Sequence, residues 1–320
     1  MAQTSVTVIP FSNRDAWERA TQTALPSQTW GHAAGLQAQG MTPELAVVEA
    51  HGALMVLPFH RRSFQGAVDI ATLPGLSGAL ISLDSTAPLN LWRDFATSQG
   101  FVSGYIQLSP MNDRVVASPP DEIKSNNALY IFDLMDWDID TSVGYKMRRN
   151  IKAGNRLGAE IETDPGLLCH QFQSLHGSHL ARMGAMPTFS GQALDRWFSE
   201  PGIVAFGARI MGKIVNIQMG RRKGLWADLH LAGSTPEGRD LQAWVIWKAI
   251  EWLREQGVRY FNIGGYGHEG DGLHWMKARF GAQEHPLRAV HQIYDQKIYQ
   301  ELCGQRTPDP LATYFPAYRG

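Results

Sequence analysis

Polar side chains interrupt three strand-like segments where a cleft would need them. Along residues 225–231, Leu225, Ala227, Leu229 and Leu231 alternate with Trp226, Asp228 and His230. One face is therefore apolar, and the other carries an indole, a carboxylate and an imidazole. In 213–219 the same alternation sets Val215, Ile217 and Met219 against Asn216 and Gln218, and Asn262 stands between Phe261 and Ile263. A half-solvated sheet would show similar polar positions, but Trp226 beside Asp228 and His230 points to a cleft. Asp228, His230, His268 and His274 are the groups there that could take or give a proton. A lone histidine is as readily a structural residue, so none of them is assigned as the base on type alone.

The segment after Asn262 turns through Gly264-Gly265-Tyr266-Gly267 and continues from His274 through Lys277 to Phe280-Gly281. Glycines in such a turn let backbone approach a ligand closely, although most need only a positive φ. Upstream, residues 142–157 read as a helix with Lys146, Arg148, Arg149, Lys152 and Arg156 and no acidic residue. At i, i+4, i+8 spacing, Arg148, Lys152 and Arg156 share one face, which suits phosphate contact as well as it suits an ordinary solvated face. Arg182 suits two-point contact with a phosphate or carboxylate as well as it suits a helix cap.

The surrounding pattern supplies elements to hold these residues. In the first half, helices are predicted over 15–24, 32–39 and 89–98, strands over 45–49, 54–59 and 102–108, and a Gly-rich loop over 73–81. In the second, a strand over 128–133 and the basic helix precede helices over 172–183 and 192–198. Strands then follow over 204–210, 213–219, 225–231 and 259–263. Between the last two lies a helix whose apolar positions Leu241, Trp244, Val245, Ile250 and Leu253 recur at helical spacing, with Pro236 near its start and Gly257 past its end. The order helix, helix, three antiparallel strands, helix, strand is the acetyltransferase arrangement. The fold class expected is α/β (α+β), with tandem domains over 1–128 and 129–320, each a mixed, mostly antiparallel sheet flanked by helices.

At 320 residues and 44% hydrophobic content the chain can bury two cores, and a net charge of −1 excludes a globally basic nucleic-acid coat. Any polyanion contact must be local. Two cysteines far apart, Cys169 and Cys303, make neither a disulfide framework nor a zinc site. No signal-like N-terminus and no uninterrupted apolar stretch of membrane-spanning length is present, so a cytoplasmic protein without a membrane span is expected.

Several of these segments together resemble the Fem family of aminoacyl-tRNA-dependent transferases, which have acetyltransferase-like (GNAT) domains. The resemblance rests on Lys146–Ala153 with Arg156 and Gly158, His179–Gly184, Leu231-Ala232-Gly233-Ser234, Tyr260–Gly265, and Leu273–Gly281 with Lys277 before Phe280-Gly281. It covers about half the chain, from Leu129 to Gly281. It implies that Lys277 stabilises the charge that develops during acyl transfer, whereas a lysine on a helix would otherwise be a solvated surface residue. The aromatic hydroxyl that family members often show before the Gly-Ser turn is not evident here, and His230 sits near that point. With the resemblance, the expected site is Lys277, Asp228 and His230 for catalysis and Trp226, Asn216, Gln218, Asn262, Tyr266, His274 and Phe280 against substrate. Arg148, Arg149, Lys152, Arg156 and Arg182 would hold the donor.

No tightly bound cofactor is expected. The donor implied is aminoacyl-tRNA, and the acceptor an amine on a small molecule or cell-wall precursor. Acyl-coenzyme A or an acyl carrier protein is the alternative donor, and a non-catalytic binding module the alternative from another class. The stretch Ser234-Thr235-Pro236-Glu237-Gly238-Arg239, where a coenzyme A enzyme would carry its Gly-rich pyrophosphate loop, has one glycine and an acid, which favours the larger carrier.

Overall fold

A computed structural model describes residues 4–83, 85–112, 114–266, 270, 272–305 and 314–320, with residue 126 by its backbone alone. It divides into two compact units. The first comprises residues 1–36, 40–127 and 286–320, the second 37–39 and 128–285. The chain thus changes unit at 127/128, next to the predicted boundary, but residues 286–320, expected with the second domain, fold with the first.

The first unit runs β1 (Ser5–Pro10), α1 (Arg14–Ala20), α2 (Trp30–Ala38), β2 (Pro43–Ala50), β3 (Ala53–Phe64), β4 (Ala67–Thr72), β5 (Leu80–Ile81), α3 (Ala87–Ser98), β6 (Ser103–Gln107) and the start of β7 (Glu122–Asp133). The end of β13 (Gln283–Ile293) and α11 (Gln296–Gly304) complete it. Strand order is β1-β2-β3-β4-β6-β13, antiparallel except for the parallel pair β4 and β6. Alternation in β2 and β3 turns Ala46, Val48, Met55, Leu57 and Phe59 inward onto Leu89, Trp92 and Ala96 of α3. The Trp92 indole stands edge-on to Phe59 at 5.2 Å.

The second unit continues β7 and adds α4 (Ile139–Ser142), α5 (Tyr145–Ile151), α6 (Ala153–Arg156), β8 (Glu160–Glu162), α7 (Pro165–Arg182), α8 (Gly191–Ser199), β9 (Ile203–Ile210), β10 (Lys213–Lys223), β11 (Trp226–Ser234), α9 (Gln242–Glu255), β12 (Tyr260–Asn262) and α10 (Gly272–Ala278). Its strands order as β7-β12-β11-β10-β9-β8, and β11 with β12 is again a parallel pair. Both units therefore share one sequence of elements: two helices, three antiparallel strands, a helix and a parallel strand. The tandem α/β arrangement expected from the pattern is what the chain adopts.

Helix α9 buries Trp244, Val245, Ile246, Ala249, Ile250 and Leu253 against Phe206, Ala227, Leu229 and Phe261 of the sheet. Each such side chain contributes about 1.5–3 kcal/mol on burial. Two local expectations change. Pro236 does not start α9; a short 3-10 turn, Arg239–Leu241, intervenes. The single basic helix over 142–157 is instead α4, α5 and α6, because Val143 and Gly144 are extended and Lys152 leaves helical geometry at ψ 3°.

Candidate active site

Parallel strands joined through a helix can diverge at their C-terminal ends, and the two units treat that gap differently. In the first, β4 and β6 pair at Ile70↔Gly104 and Ala71↔Tyr105, and the chain then loops out over 73–79 and returns. Strand β5 rejoins β3 at Met55↔Ile81 and Val56↔Leu80, while Ala79 bridges Leu108. Ala79 N–H donates to Gln107 O, Ser109 N–H to Ala79 O, and the Gln107 amide to Gly75 O at 3.0 Å. The gap is filled by the unit's own backbone. In the second unit, among the described residues, β11 pairs with β12 over Trp226↔Tyr260, Ala227↔Phe261 and Asp228↔Asn262, and beyond Asp228 its pairing is with β10, at Leu229 and residues 231–234.

Lys277 sits at the parting of these strands. On α10 it is 5% exposed, and its ammonium donates to Ile263 O at 2.5 Å and Gly265 O at 2.6 Å. The turn that accepts these bonds is fixed by Asn262, whose side chain accepts from Gly264 N–H at 2.9 Å. A buried cation held by two carbonyls at the end of β12 is a charge placed by the fold, unlike a solvated surface lysine. Asn262 thus positions the turn. Phe280 is likewise core, stacked on Trp137 at 6.0 Å, with Trp137 Nε1–H donating to Phe280 O.

Around the same turn, Tyr266 and His274 pack at 4.7 Å, and both lie 6.3 Å from Tyr130 of β7, whose hydroxyl donates to Glu284 at 3.2 Å. His274 Nδ1 accepts from Gly270 N–H at 2.7 Å, so in the neutral ring the proton is on Nε2. That tautomer has no lone pair left for an amine proton. Tyr130 and Glu284 were not foreseen: a tyrosine in an apolar strand reads as core, and its partner is 154 residues away. Gly267 and His268 lie outside the described residues.

Strand β11 departs from simple alternation. Its register against β10 slips between Met219 and Gly220, so Met219 faces Leu231 and Gly220 faces Leu229. His230 is the extra residue of a β-bulge. Its ring packs against Phe189 at 5.3 Å and Trp197 at 5.2 Å, away from the Trp226 that was expected beside it. Trp226 stacks instead on Tyr260 at 4.6 Å, at the start of the strand. Asp228 is buried at the last parallel pair, opposite Asn262 and Arg221.

Burial, with the charge of Arg221 and then His176 nearby, lowers the His230 pKa from near 6.5 to about 4, which makes it a weak proton acceptor. The sign for stability follows. A group whose folded pKa lies below its unfolded value supports the fold fully above the unfolded pKa and loses that support as pH falls through the folded one. Unfolding free energy should therefore drop between about pH 6.5 and about pH 4, and His230→Gln should flatten that drop in denaturant titrations. His60, buried near Arg62 and also lowered to about 4, leaves part of the slope in place.

Asn216 and Gln218 are buried too, and they serve the loop after β11. The Asn216 amide donates to Gly238 O at 3.0 Å, and that of Gln218 to Asn216 Oδ1 at 3.0 Å. Gly238 is obligatory here: a Cβ would lie 1.9 Å from Val215 O. Five of the loop's N–H groups are spent internally. Thr235 N–H donates to Val215 O, Gly238 N–H to Thr235 Oγ1, Arg239 N–H to Pro236 O and Leu241 N–H to Gly238 O, while the Glu237 carboxylate takes its own N–H. Pro236 has none. Those donors are therefore not available to a pyrophosphate.

Three residues of α7 reach the same end of β11. Thr235 N–H to Val215 O sets the ladder parity, so the carbonyls of Ala232 and Ser234 point away from β10. His176 Nδ1 bonds Ala232 O at 2.7 Å, the Arg182 guanidinium donates to Ser234 O, and His179 Nδ1 lies 3.2 Å from Ser234 Oγ. Arg182, expected to orient a ligand, holds the strand edge. His176 was not singled out in the sequence and His179 only as part of the 179–184 segment, because their partners are backbone and hydroxyl atoms more than 50 residues on.

Of the basic residues, Arg148 donates to Asp140 O, Lys152 lies 3.7 Å from the Asp140 carboxylate, and Arg156 donates to Arg149 O at 3.0 Å. Since α5 and α6 are separate helices, Arg148, Lys152 and Arg156 do not form the straight row expected. Lys152 and Arg156 stay exposed, and Arg148 is half-buried. A cleft of about 440 Å³ lies between α5 and α10, lined by Ser142, Tyr145, Lys146, Met147, Trp275 and Arg279 among others.

No protein-family model matches the sequence, and no curated protein matches it. Comparison of folds is informative. A structure of FemX superposes with a TM-score of 0.68 over 93% of this chain and 99% of its own, at 11% identity. The chain has the fold of FemX. The C-terminal DUF2156 domain of a protein described as a lysylphosphatidylglycerol synthetase from Agrobacterium fabrum superposes at 0.61 over 88% of this chain and 91% of its own, at 15% identity. L-PGS from Bacillus licheniformis gives 0.54 over 79% and 85%, at 14% identity. The FemX-like architecture expected from the Leu129–Gly281 motifs thus extends over nearly the whole chain, including the first unit, where no motif was legible.

Proposed function

We propose that the second unit transfers an aminoacyl group from aminoacyl-tRNA to an amine of a small molecule or cell-wall precursor, forming an amide. The observation that carries this reading is the buried ammonium of Lys277, fixed where β11 and β12 part. The acceptor nitrogen attacks the ester carbonyl carbon, and negative charge builds on the carbonyl oxygen. A cation in a water-poor site stabilises that charge where it develops. The carbon–oxygen bond to the terminal ribose then breaks, and the proton lost by the amine passes to the leaving ribose oxygen, through Asp228 or water. His230 and His274 are unsuited as base for the reasons above.

The self-satisfied loop over 234–241 supports a carrier other than coenzyme A, and the FemX-like fold agrees with tRNA as that carrier. The test is transfer of labelled acyl groups to candidate amines from charged total tRNA, coenzyme A thioesters and acyl carrier protein thioesters, with and without ribonuclease. Ribonuclease-sensitive transfer from charged tRNA is expected. Ribonuclease-insensitive transfer from a thioester would overturn the donor assignment, and absence of transfer from every donor would favour a binding module.

A further inference from the structure

The cleft between α5 and α10 has features that acyl transfer itself does not use. Helix α10 is two-faced: Lys277 turns inward to Ile263 and Gly265, while Trp275 and Ala278, with Arg279 just past its end, line the cleft. Trp275 is 39% exposed and Tyr145, opposite on α5, 76% exposed. Large aromatic rings left in water are costly unless something covers them. The Arg279 guanidinium already lies 4.4 Å over the Trp275 ring. Lys146 adds a second cation, and among the described residues the lining contains no acidic one. Arg149, Lys152 and Arg156 continue the positive surface along α5 and α6.

We infer that this cleft is a stacking site for unpaired nucleobases of single-stranded RNA. Bases would lie on Trp275 and Tyr145, with Arg279 and Lys146 against the adjoining phosphates. The chemistry favours this occupant. Aromatic faces accept any base, cations beside them track the backbone, and a volume of about 440 Å³ holds a nucleobase with its sugar. An apolar peptide would give the charges of Lys146 and Arg279 no anion to meet, and a free anion would not use the rings. The inference rests on the aminoacyl-tRNA reading: the single-stranded end of the donor would enter over the outer face of the helix whose inner face carries Lys277.

The experiment is fluorescence anisotropy with a labelled seven-nucleotide RNA ending in CCA, and with the same strand carrying abasic sites in place of its last bases. Folding of each variant is checked by thermal melting. Trp275→Ala should weaken binding of the intact strand about 10-fold, the value of roughly one stacked base. Trp275→Phe should stay close to wild type, and Trp275→Ala should make little difference with the abasic strand. Tight RNA binding unchanged by both Trp275→Ala and Tyr145→Ala would overturn the stacking site and leave the tRNA donor standing. Failure of the wild-type protein to bind either this strand or whole tRNA at low salt would remove the donor reading and this inference with it.

Discussion

Lys277→Met is expected to lower kcat for aminoacyl transfer about 10²–10³-fold with KM nearly unchanged. The reasoning is geometric. The ammonium is not at the end of a mobile arm; the Ile263 and Gly265 carbonyls fix it, and Asn262 fixes their turn. A charge so placed acts on the tetrahedral oxyanion far more than on the neutral ester, which is why the loss falls on turnover and not on binding. Methionine keeps the stem that fills the site and removes only the charge and its donors. Two carbonyls then lose a partner at a cost of about 1–3 kcal/mol, so the rate is to be compared at a temperature where both proteins are folded. Lys277→Arg should not restore activity, because the branched guanidinium does not fit a 5% exposed site shaped for a linear stem. Steady-state and single-turnover rates together check the claim. A full loss in KM with kcat intact would make Lys277 a binding residue.

Trp244→Ala carries the largest expected effect on stability, about 3–5 kcal/mol out of a total on the order of 5–15. Trp244 is fully buried in α9, its indole N–H donates to Asn155 Oδ1 at 2.8 Å, and α6 lies so close that a Cβ on Gly154 would come within 2.4 Å of the ring. The indole is thus the seat on which the basic α5–α6 segment rests. Its removal should lower the denaturant midpoint and weaken RNA binding together. Trp244→Phe, which keeps the packing but not the hydrogen bond, should lose markedly less of both. A Trp244→Ala protein with an unchanged midpoint would show that α6 does not depend on this contact.

Much of the second unit could be read from periodicity, since alternation along β9 to β11 and the helical spacing of α9 mark a sheet and its covering helix. The bulge at His230 was not legible, because one inserted residue leaves the alternation of types intact while turning every later side chain. For the same reason Trp226, Asp228 and His230 looked like one constellation and are not. Asn216 and Gln218 were read as cleft residues against substrate, yet they are buried: Gly238, 22 residues on, accepts from Asn216, and Asn216 accepts from Gln218. Lys277 could be singled out by resemblance but not by type. What makes it a buried cation, two backbone carbonyls before α10, is a feature of chain path with no residue signature. The return of residues 286–320 to the first unit was equally hidden, as nothing in the composition of β13 says which strand it will pair with.

The most direct test of the account is photocrosslinking with tRNA charged with a photoreactive aromatic amino acid, followed by mapping of the labelled peptide. The open parting of β11 and β12 predicts label on residues 228–234 or 272–280 and its loss when unlabelled aminoacyl-tRNA competes. Competed label within 67–108 of the first unit would contradict the assignment, because the gap there is closed by its own loop.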